Sequence, residues 1–341
     1  MSETIRIAID AMGGDFAPME IVKGTIDAAA AHPELDLILV GQEDVVRREL
    51  KAFGYNGSTI RIQHASEVIS TEEAPVAAIR SKTDSSIVVG ARMVKNGEAD
   101  AFISAGSTGA LLTAGTLIVG RIRGVDRPPI AAVIPTKAGA TLLLDSGANV
   151  DAKPSQLVQF ARMGSLYAEN VLGVANPRIG LLNIGVEEEK GSAAVKETYA
   201  LLKEIPELNF IGNVEARDVS FGPCDVLVAD AFAGNVVLKM YEGVASMLLS
   251  EVKSSIKSNP VSMLGGALIQ GTLKKALKKF DAKIYGGAPL LGCNGLVVKT
   301  HGTAKAIEVA NTIEQCRVYV QSGTTKKMKE CFEALRAKST Q

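Results

Sequence analysis

Glycines and polar residues follow apolar runs at six places in the chain. These turns are MGGD (12–15), SAGSTG (104–109), LDSGAN (144–149), NIGVEEEKG (183–191), ADAFAGN (229–235) and GAPLLGCNGLVVKTHG (287–302). Glycine lets the backbone approach a ligand closely, and a helix that follows such a turn offers unpaired N–H groups to an anion. An ordinary chain corner is the alternative for any single turn. Six of them together favour a phosphate-sized anion as the ligand.

The elements that must position these turns are short apolar runs, which alternate with segments whose apolar residues recur three and four apart. The predicted strands are 5–11, 35–40, 60–63, 101–105, 130–134, 141–145, 179–184, 210–212 and 226–229. The predicted helices are 19–31, 43–53, 87–97, 155–171, 193–205, 235–257 and 304–319. This alternation predicts an α/β fold, with a doubly wound, mostly parallel sheet and helices on both faces. In such sheets, ligands bind at the carboxyl ends of the strands.

A single domain, 1–341, is predicted because no linker and no internal repeat divides the chain. Within it, 243–283 is predicted to be a projecting helical arm, since 251–283 holds seven lysines against two acids. Ala101–Gly120 has 20 residues without a charge, the length of a membrane-spanning helix. Its four glycines and five Ser or Thr residues favour a buried strand, a glycine-rich turn and a buried helix instead.

The composition is that of a soluble α/β enzyme. Hydrophobic residues make up 47% of the chain, and 37 Lys and Arg balance 37 Asp and Glu. Nucleic acid is not an expected partner, because proteins that bind it usually carry an excess of basic residues. Aromatic residues are only 4%, with no Trp, which argues against a base-stacking platform. The four cysteines form no CxxC pair, so free thiols in a reducing cytoplasm are expected.

Signatures of common cofactors and of metals are missing from the sequence. No GxGxxG follows the first strand, and GALIQGTL (266–273) lacks the Lys-Ser/Thr of a P-loop. The acids in the turns have no metal-ligand spacing, and turn-stabilising carboxylates are more common than metal ligands. We therefore expect no tightly bound nucleotide cofactor and no metal.

Six motifs resemble those of one bacterial enzyme family, the acyl-ACP:phosphate acyltransferases. They are DAMGGDFAP (10–18), ISAGSTGA (103–110), LLDSGAN (143–149), LLNIGVEEEKG (181–191), FAGNVVLK (232–239) and GGAPLLGCNGLVVKTHG (286–302). The resemblance extends from about Ile5 to about Tyr319. One departure is Val186, where the family more often has an acid, and this puts only the role of that acid in doubt.

The resemblance implies that inorganic phosphate attacks the thioester of an acyl group carried on acyl carrier protein. The products would be acyl phosphate, used in phospholipid synthesis by a membrane glycerol-3-phosphate acyltransferase, and free carrier protein. It also implies a homodimer of an α/β/α fold related to the phosphotransacetylases and decarboxylating dehydrogenases. The expected location is cytoplasmic, with peripheral membrane association, and no cofactor is implied.

This reaction needs no covalent intermediate, but it does need a cation and a donor beside the anionic centre. Lys190 is the first candidate, and the alternative is a solvated lysine paired with Glu187 or Glu188. Asn235 can donate to an oxyanion, although an ordinary N-cap is the alternative. His301 can bind phosphate or protonate the thiolate.

Other polar residues and glycines of the turns are candidate ligands of phosphate or substrate. They are Gly13, Gly14, Asp15, Ser107, Thr108, Asn149, Asp230 and Lys299. Helix capping is the alternative for Ser107 and Thr108, and Asp230 can orient a cation or an amide instead of touching substrate. Lys299 is predicted to share one side of a strand with His301, and a structural role is open for it.

The arm contains a basic amphipathic segment that can lie on anionic lipid. The predicted membrane-contacting residues are Met263, Leu264, Leu268, Leu273, Lys274, Lys275, Leu277 and Lys278. The alternatives are packing against the core or a second subunit, and docking of the acidic carrier protein. Lysines within 326–329 could also serve that docking.

Two other functions are compatible with these observations. A phosphotransacetylase-like enzyme would use acyl-CoA, although no adenine pocket is evident. A non-catalytic membrane scaffold would use the arm, but would have no need of an anion pocket.

Overall fold

The computed structural model describes residues 4–278, 280 and 282–339. The strands in chain order are β1 Arg6–Asp10, β2 Asp36–Gly41, β3 Ile60–His64, β4 Ala101–Ser104, β5 Ala131–Thr136, β6 Gly139–Leu144, β7 Arg178–Asn183, β8 Asn209–Glu215, β9 Val226–Val228, β10 Ala288–Leu290 and β11 Leu296–Lys299. The helices are α1 Met19–Ala31, α2 Glu43–Ala52, α3 Pro75–Ser81, α4 Ser86–Lys95, α5 Thr108–Ala114, α6 Pro154–Asn170, α7 Ala193–Lys203, α8 Ala231–Lys257, α9 Pro260–Lys278, α10 Ala306–Gln321 and α11 Thr324–Ser339.

The chain folds into two compact units, each built from separate stretches of sequence. Unit 1 takes the described residues of Met1–Ala132, Leu166–Ala175 and Lys283–Gln341. Unit 2 takes Val133–Ser165 and the described residues of Asn176–Ala282. The single domain expected over 1–341 stays a prediction.

The unit 1 sheet has the order β10-β11-β4-β1-β2-β3. Its strands pair in parallel from β11 to β3, and β10 pairs antiparallel with β11. In the central strands β1 and β4, every residue except Arg6 is buried, because both faces of the sheet are covered. Gly24 lets α1 approach α10 closely, since a Cβ there would lie 2.5 Å from the Ala306 carbonyl oxygen.

The unit 2 sheet has the order β5-β6-β9-β7-β8, and β6, β9, β7 and β8 pair in parallel. Buried side chains from its strands, including Ile134, Leu143 and Leu227, form a hydrophobic core. The first turns of α8 pack Val237 and Tyr241 against this core. Helix α8 thus begins three residues after the end of β9, with part of its apolar side on this core.

The predicted fold class is confirmed: the structure is α/β, with mostly parallel strands and helices on both faces. The strands divide between two sheets, which the alternation of elements did not indicate. Ala101–Gly120 is strand β4 followed by helix α5 and a π-helical turn, Gly115–Val119, as expected from its glycines. Within the described part of the chain, no helix is both long and apolar enough to cross a membrane.

The range 243–283, predicted as an arm, includes the later turns of α8 and all of α9, in unit 2. Asn259 lies between them and accepts a hydrogen bond from the Ser262 N–H through its Oδ1, at 2.8 Å. Gly266 lets the helices approach, because a Cβ there would lie 2.4 Å from Ile256 Cγ2. Most residues from 247 to 272 are exposed.

Candidate active site

Three parallel strands end side by side at one edge of the unit 1 sheet. β4 lies between β11 and β1, with Lys299 aligned with Ser104 and Ile9 with Ile103. The turns that follow these strands are 300–302, 105–107 and 11–15. Predicted ligand residues from distant parts of the sequence therefore share one edge, as the parallel sheet requires.

Asp10 joins two of these turns. Its carboxylate is 1% exposed and accepts a 2.6 Å hydrogen bond from Ser104 Oγ and a 3.0 Å bond from the Met12 N–H. The Gly106 N–H in turn donates to Ser104 Oγ, at 3.0 Å. Burial raises the pKa of the Asp10 carboxyl above its usual value, although hydrogen bonds from Ser104 and Ser86 oppose the shift. Asp10 is thus a structural anchor of the edge.

The paired glycines of MGGD let the turn pack against its neighbours. A Cβ on Gly13 would lie 2.5 Å from Asp10 Oδ2 and 2.6 Å from the Gly106 nitrogen. Gly14 has φ +103°, and a Cβ there would lie 3.0 Å from the Gly302 carbonyl oxygen. The Asp15 N–H donates to that same oxygen at 2.8 Å, and the Asp15 side chain is exposed. Close backbone packing therefore explains both glycines, and their contact with a ligand stays a prediction.

The remaining candidates of unit 1 differ in accessibility. Ser107 caps α5, because its Oγ accepts a hydrogen bond from the Ala110 N–H, whereas Thr108 is exposed. Lys299 Nζ donates to the Ala105 carbonyl oxygen at 3.2 Å and also to Thr300 O. Lys299 thus supports the neighbouring turn.

His301 does not share a side of a strand with Lys299, and that prediction is wrong. β11 ends at Lys299, so His301 lies in the following turn. Its Nδ1 accepts a hydrogen bond from the Thr303 N–H at 3.3 Å and lies 2.8 Å from Thr303 Oγ1. The side chain is exposed, and these contacts leave Nε2 as the ring nitrogen available to a ligand.

A second edge is formed in unit 2 by the carboxyl ends of β6, β9 and β7. Leu144 of β6 and Leu181 of β7 both align with Val228 of β9 in parallel register. The turns that follow carry Asn149, Asp230 and Lys190. These three candidates therefore also share one edge of a sheet.

Asp145 organises the turn after β6 and was not among the predicted site residues. Its carboxylate is fully buried and accepts hydrogen bonds of 2.8–3.0 Å from the N–H groups of Gly147, Ala148 and Asn149. Asn149 Nδ2 also donates to it, at 2.7 Å. The Asn149 side-chain amide is thus used to hold the turn, and the backbone carbonyl oxygen of Asn149 accepts a hydrogen bond from the Ala231 N–H at the start of α8.

Asn235 is not a helix cap. The cap of α8 is Asp230, whose carboxylate accepts a 2.9 Å hydrogen bond from the Ala233 N–H. Asn235 lies one turn further on and is exposed. Gly234, just before it, lies against the turn after β6, since a Cβ there would lie 2.0 Å from the Asp145 carbonyl oxygen. Capping therefore does not account for the Asn235 amide.

Lys190 lies in the exposed turn that follows β7. Glu188, one of its expected partners, accepts hydrogen bonds from Lys203 Nζ at 2.8 Å and from the Tyr199 hydroxyl at 3.0 Å. In the part of the chain that the structure describes, Lys190 forms no ion pair with Glu187 or Glu188. The pairing of Lys190 with Glu187 or Glu188 is therefore not found, whereas the lysine is solvent-exposed, as that alternative also expected.

The structure thus gathers the predicted residues at two edges, one in each unit. Among the described residues, no hydrogen bond or ion pair links Lys190 to Asn235. No cluster of three His, Cys, Asp or Glu side chains that could hold a metal is found in the described ranges. The roles of the individual side chains in catalysis stay predictions.

The predicted membrane-contacting residues of α9 divide into two groups. Met263, Leu264 and Leu268 are exposed, with Leu268 at 82%, as are Lys274 and Lys275. Leu273 and Leu277 are half-buried. The side chain of Lys278 lies outside the described residues. The accessible apolar surface is therefore in the first half of α9.

Comparison with known proteins gives a consistent result over most of the chain. The family model described as "Fatty acid synthesis protein" matches residues 5–327. The phosphate acyltransferase of Clostridium perfringens strain SM101 is 49% identical over 326 residues, covering 96% of each chain. That of Clostridium novyi is 47% identical over 329 residues, covering 96% of this chain and 99% of the relative.

Solved structures share the fold at low sequence identity. A phosphotransacetylase from Streptococcus pyogenes superposes with a TM-score of 0.59 at 16% identity, covering 93% of this chain and 95% of that one. The EutD phosphotransacetylase from Staphylococcus aureus gives a TM-score of 0.58, also at 16% identity, covering 93% and 94%. These matches support the α/β architecture alone.

Proposed function

The chain belongs to the phosphate acyltransferase family, and from this premise we propose that it transfers a fatty acyl group from acyl carrier protein to inorganic phosphate. The observation that carries the proposal is the 46–49% identity to phosphate acyltransferases over 93–97% of the chain. The resemblance found in the six motifs and the predicted enzyme class are thereby confirmed. The acyl carrier and the mechanism are our proposals.

We propose direct attack of phosphate on the thioester. A phosphate oxygen forms a bond to the carbonyl carbon, the C–S bond breaks, and the thiolate of the carrier leaves and takes up a proton. Burial disfavours Cys224 and Cys293 as nucleophiles, because it raises the thiol pKa of each to about 12. Phosphate is itself the nucleophile, so no covalent enzyme intermediate is required.

The main barrier that the protein must lower is repulsion between the anionic phosphate and the oxyanion that forms on the carbonyl. Two unit charges ~4 Å apart at an effective dielectric of ~20 repel by roughly 4 kcal/mol. Lys190 is proposed to offset this repulsion. Its support is an exposed position after β7, together with the engagement of Glu188 by Lys203.

Asn235 is proposed to donate a hydrogen bond to the oxyanion. Its amide is exposed one turn into the 27-residue helix α8, beyond the cap. Because Asp230 supplies the cap, the Asn235 side chain is not required for the helix start. A single donor of this kind contributes about 3–4 kcal/mol to transition-state stabilisation.

The unit 1 edge is proposed to bind phosphate or another anionic part of the substrate. Exposed Thr108 and His301 are the side chains best placed for contact, and Gly13, Gly14, Asp15, Ser107 and Lys299 form the supporting turns. His301 offers Nε2 to an anion or as a proton donor to the leaving thiolate. At the unit 2 edge, Asn149 and Asp230 are proposed to have a supporting role, because Asn149 holds the turn after β6 and Asp230 caps α8.

We also propose that the enzyme is a homodimer and associates peripherally with membrane, where its acyl phosphate reaches a membrane glycerol-3-phosphate acyltransferase. The support is the apolar surface of α8 and α9, with Met240, Met247, Leu264 and Leu268 each at least 60% exposed. Large exposed apolar patches mark protein or membrane contacts. A paired subunit and a lipid surface can cover different parts of it.

The test is release of free carrier-protein thiol from acyl carrier protein, measured with and without phosphate. Release should require phosphate and yield acyl phosphate in equal amount. Release without phosphate would contradict direct attack. A faster reaction with acyl-CoA under matched conditions would identify acyl-CoA, and not the carrier protein, as the substrate.

A further inference from the structure

Two buried asparagines lie beneath the turn that carries Lys190. Asn183 ends β7 and is 9% exposed, and Asn213 lies on the neighbouring strand β8 and is 8% exposed. In the parallel register, Asn213 aligns with Leu181, two residues before Asn183. The two side chains therefore project from the same face of adjacent strands, at the same end.

Both asparagines bind the backbone of the turn 184–191. Asn183 Nδ2 donates to the Lys190 carbonyl oxygen at 3.0 Å, and Asn183 Oδ1 accepts from the Ile184 N–H at 2.8 Å. Asn213 Nδ2 donates to the Glu187 carbonyl oxygen at 2.9 Å. The Lys190 N–H also donates to Glu187 O, at 3.2 Å. The segment Glu187–Lys190 is thus held at both ends by side chains of the sheet.

The glycines of the motif fit this arrangement. Gly191 has φ +96°, and a Cβ there would lie 2.3 Å from Asn183 Oδ1. A Cβ on Gly185 would lie 3.2 Å from Lys190 Cγ, so the aliphatic stem of Lys190 passes close over Gly185. The spacing N-x-G-x-x-x-x-K-G is therefore explained by contacts between its own members.

We propose that Asn183 and Asn213 are positioning residues for Lys190: they fix the backbone from which its side chain extends. This inference rests on the proposed catalytic role of Lys190. Neither asparagine is required to touch substrate, because the Nδ2 group of each donates to the backbone of the turn. An error of about 1 Å in the position of a catalytic group can lower the rate by about a hundredfold.

The experiment is a double-mutant cycle with Asn183→Ala and Lys190→Ala in the full chain. Asn183→Ala should lower kcat about 10- to 100-fold, with a smaller change in the KM for phosphate. In the Lys190→Ala background, the same substitution should lower kcat by less than about threefold, because the group that it positions is already absent.

Asn209→Ala is the matched control. Asn209 lies on β8 at the opposite end of the sheet, and its Nδ2 donates to the Asn176 carbonyl oxygen at 3.0 Å. The control loses one exposed side-chain hydrogen bond to the backbone, of the same 3.0 Å length as that from Asn183 to Lys190, and should keep kcat within about twofold. Amide hydrogen exchange in 184–191 should accelerate in Asn183→Ala and not in Asn209→Ala.

The possible outcomes separate the two proposals. Wild-type turnover of Lys190→Ala would remove the catalytic role of Lys190, and the positioning role with it. Impaired Lys190→Ala together with normal Asn183→Ala, or with additive losses in the double variant, would overturn only the positioning role. If Asn183→Ala does not fold, Asn213→Ala takes its place in the same cycle, with the same expected results.

Discussion

At the unit 1 edge, Asp10 accepts a hydrogen bond from Ser104, a residue 94 positions away on another strand. At the unit 2 edge, the donors to Asp145 in the contacts described above all come from its own turn, Gly147 to Asn149. Both carboxylates are buried directly after a parallel strand or at its end. The Asp10 carboxylate thus joins two turns, and the Asp145 carboxylate holds the turn that follows its own strand.

This difference predicts which turns loosen when a hydrogen bond to each buried carboxylate is removed. Loss of a contact at Asp10 should loosen two turns at once, because each turn uses the other as its support. Loss of a contact between Asp145 and Gly147, Ala148 or Asn149 should first loosen 145–149 and the adjoining start of α8. The unit 2 edge also carries the exposed catalytic candidates Lys190 and Asn235. Substitutions at this edge should therefore lower the turnover rate before they lower stability.

The largest expected effect is that of Lys190→Ala on turnover. We expect kcat to fall about a hundredfold to a thousandfold, as for loss of a group that stabilises an oxyanion. Steady-state kinetics with acyl carrier protein and phosphate measures this. Lys196→Ala, an exposed lysine on α7, is the control and should change little. Equal rates for the two variants would contradict a catalytic role of Lys190.

Gly13→Ala should cause the largest loss of stability at the unit 1 edge. The new Cβ would meet the Gly106 nitrogen at 2.6 Å, and we expect a loss of about 3 kcal/mol in the free energy of unfolding. Gly106→Ala is the control, since its Cβ would meet only Ser104 Oγ, at 3.2 Å, and other side-chain atoms at 3.4 Å. Chemical unfolding compares them. A larger loss for Gly106→Ala would contradict the packing described for this edge.

Ser104→Ala and Asn149→Ala test directly whether the Asp10 carboxylate stabilises two turns and the Asp145 carboxylate only its own. Each variant removes a donor to a buried carboxylate, which costs about 1.5–3 kcal/mol. Amide exchange should accelerate in both 11–15 and 104–109 for Ser104→Ala. For Asn149→Ala, it should accelerate only in 145–149 and the first turn of α8. Local acceleration in both variants would remove the distinction between the edges.

Asp10→Asn should reveal a smaller, pH-dependent effect. Burial raises the folded-state pKa of Asp10, so its contribution to stability is fully present below the unfolded pKa and is lost as pH rises through the folded pKa. Wild type should therefore gain stability relative to Asp10→Asn as pH is lowered from neutral towards 4. Melting temperatures across this range measure the difference, and a constant difference would show that the folded pKa is unshifted.

The smallest effect on turnover is expected for Leu268→Glu, on the arm and outside both edges. Turnover should stay within about twofold, whereas sedimentation with anionic liposomes should decrease, because an exposed apolar contact is replaced by a charge. Gln270→Glu adds the same charge at a neighbouring exposed position and serves as the control. Equal sedimentation of both variants would exclude the apolar contact of Leu268.

Several elements of the fold were predictable because their signals are local. α1 has the predicted bounds, 19–31, and the buried strands β1 and β4 are apolar runs that end in the expected turns. α11 was missed because its sequence, TTKKMKECFEALRAKS, is rich in charge and has few apolar residues. β10 was missed because it has only three residues and includes a proline.

The site was predictable in its turns but not in the partners of each side chain. The motifs identified the residues 183–191, including Lys190. They did not identify Asn213, which lies on β8 and reaches the turn only because that strand pairs with β7. They also left open the partner of Glu188, which is a lysine 15 residues away.

The sequence by itself determined the alternation of strands and helices, the glycine-rich turns and the family, because each of these depends on residues that are close together in the chain. The tertiary structure decided which polar groups are used inside the protein and which stay accessible. Asp10, Ser104 and Asn149 are engaged within the fold, whereas Lys190 and Asn235 are exposed. The physical reason is that a hydrogen bond depends on distances of about 3 Å between groups that the sheet brings together from distant parts of the chain.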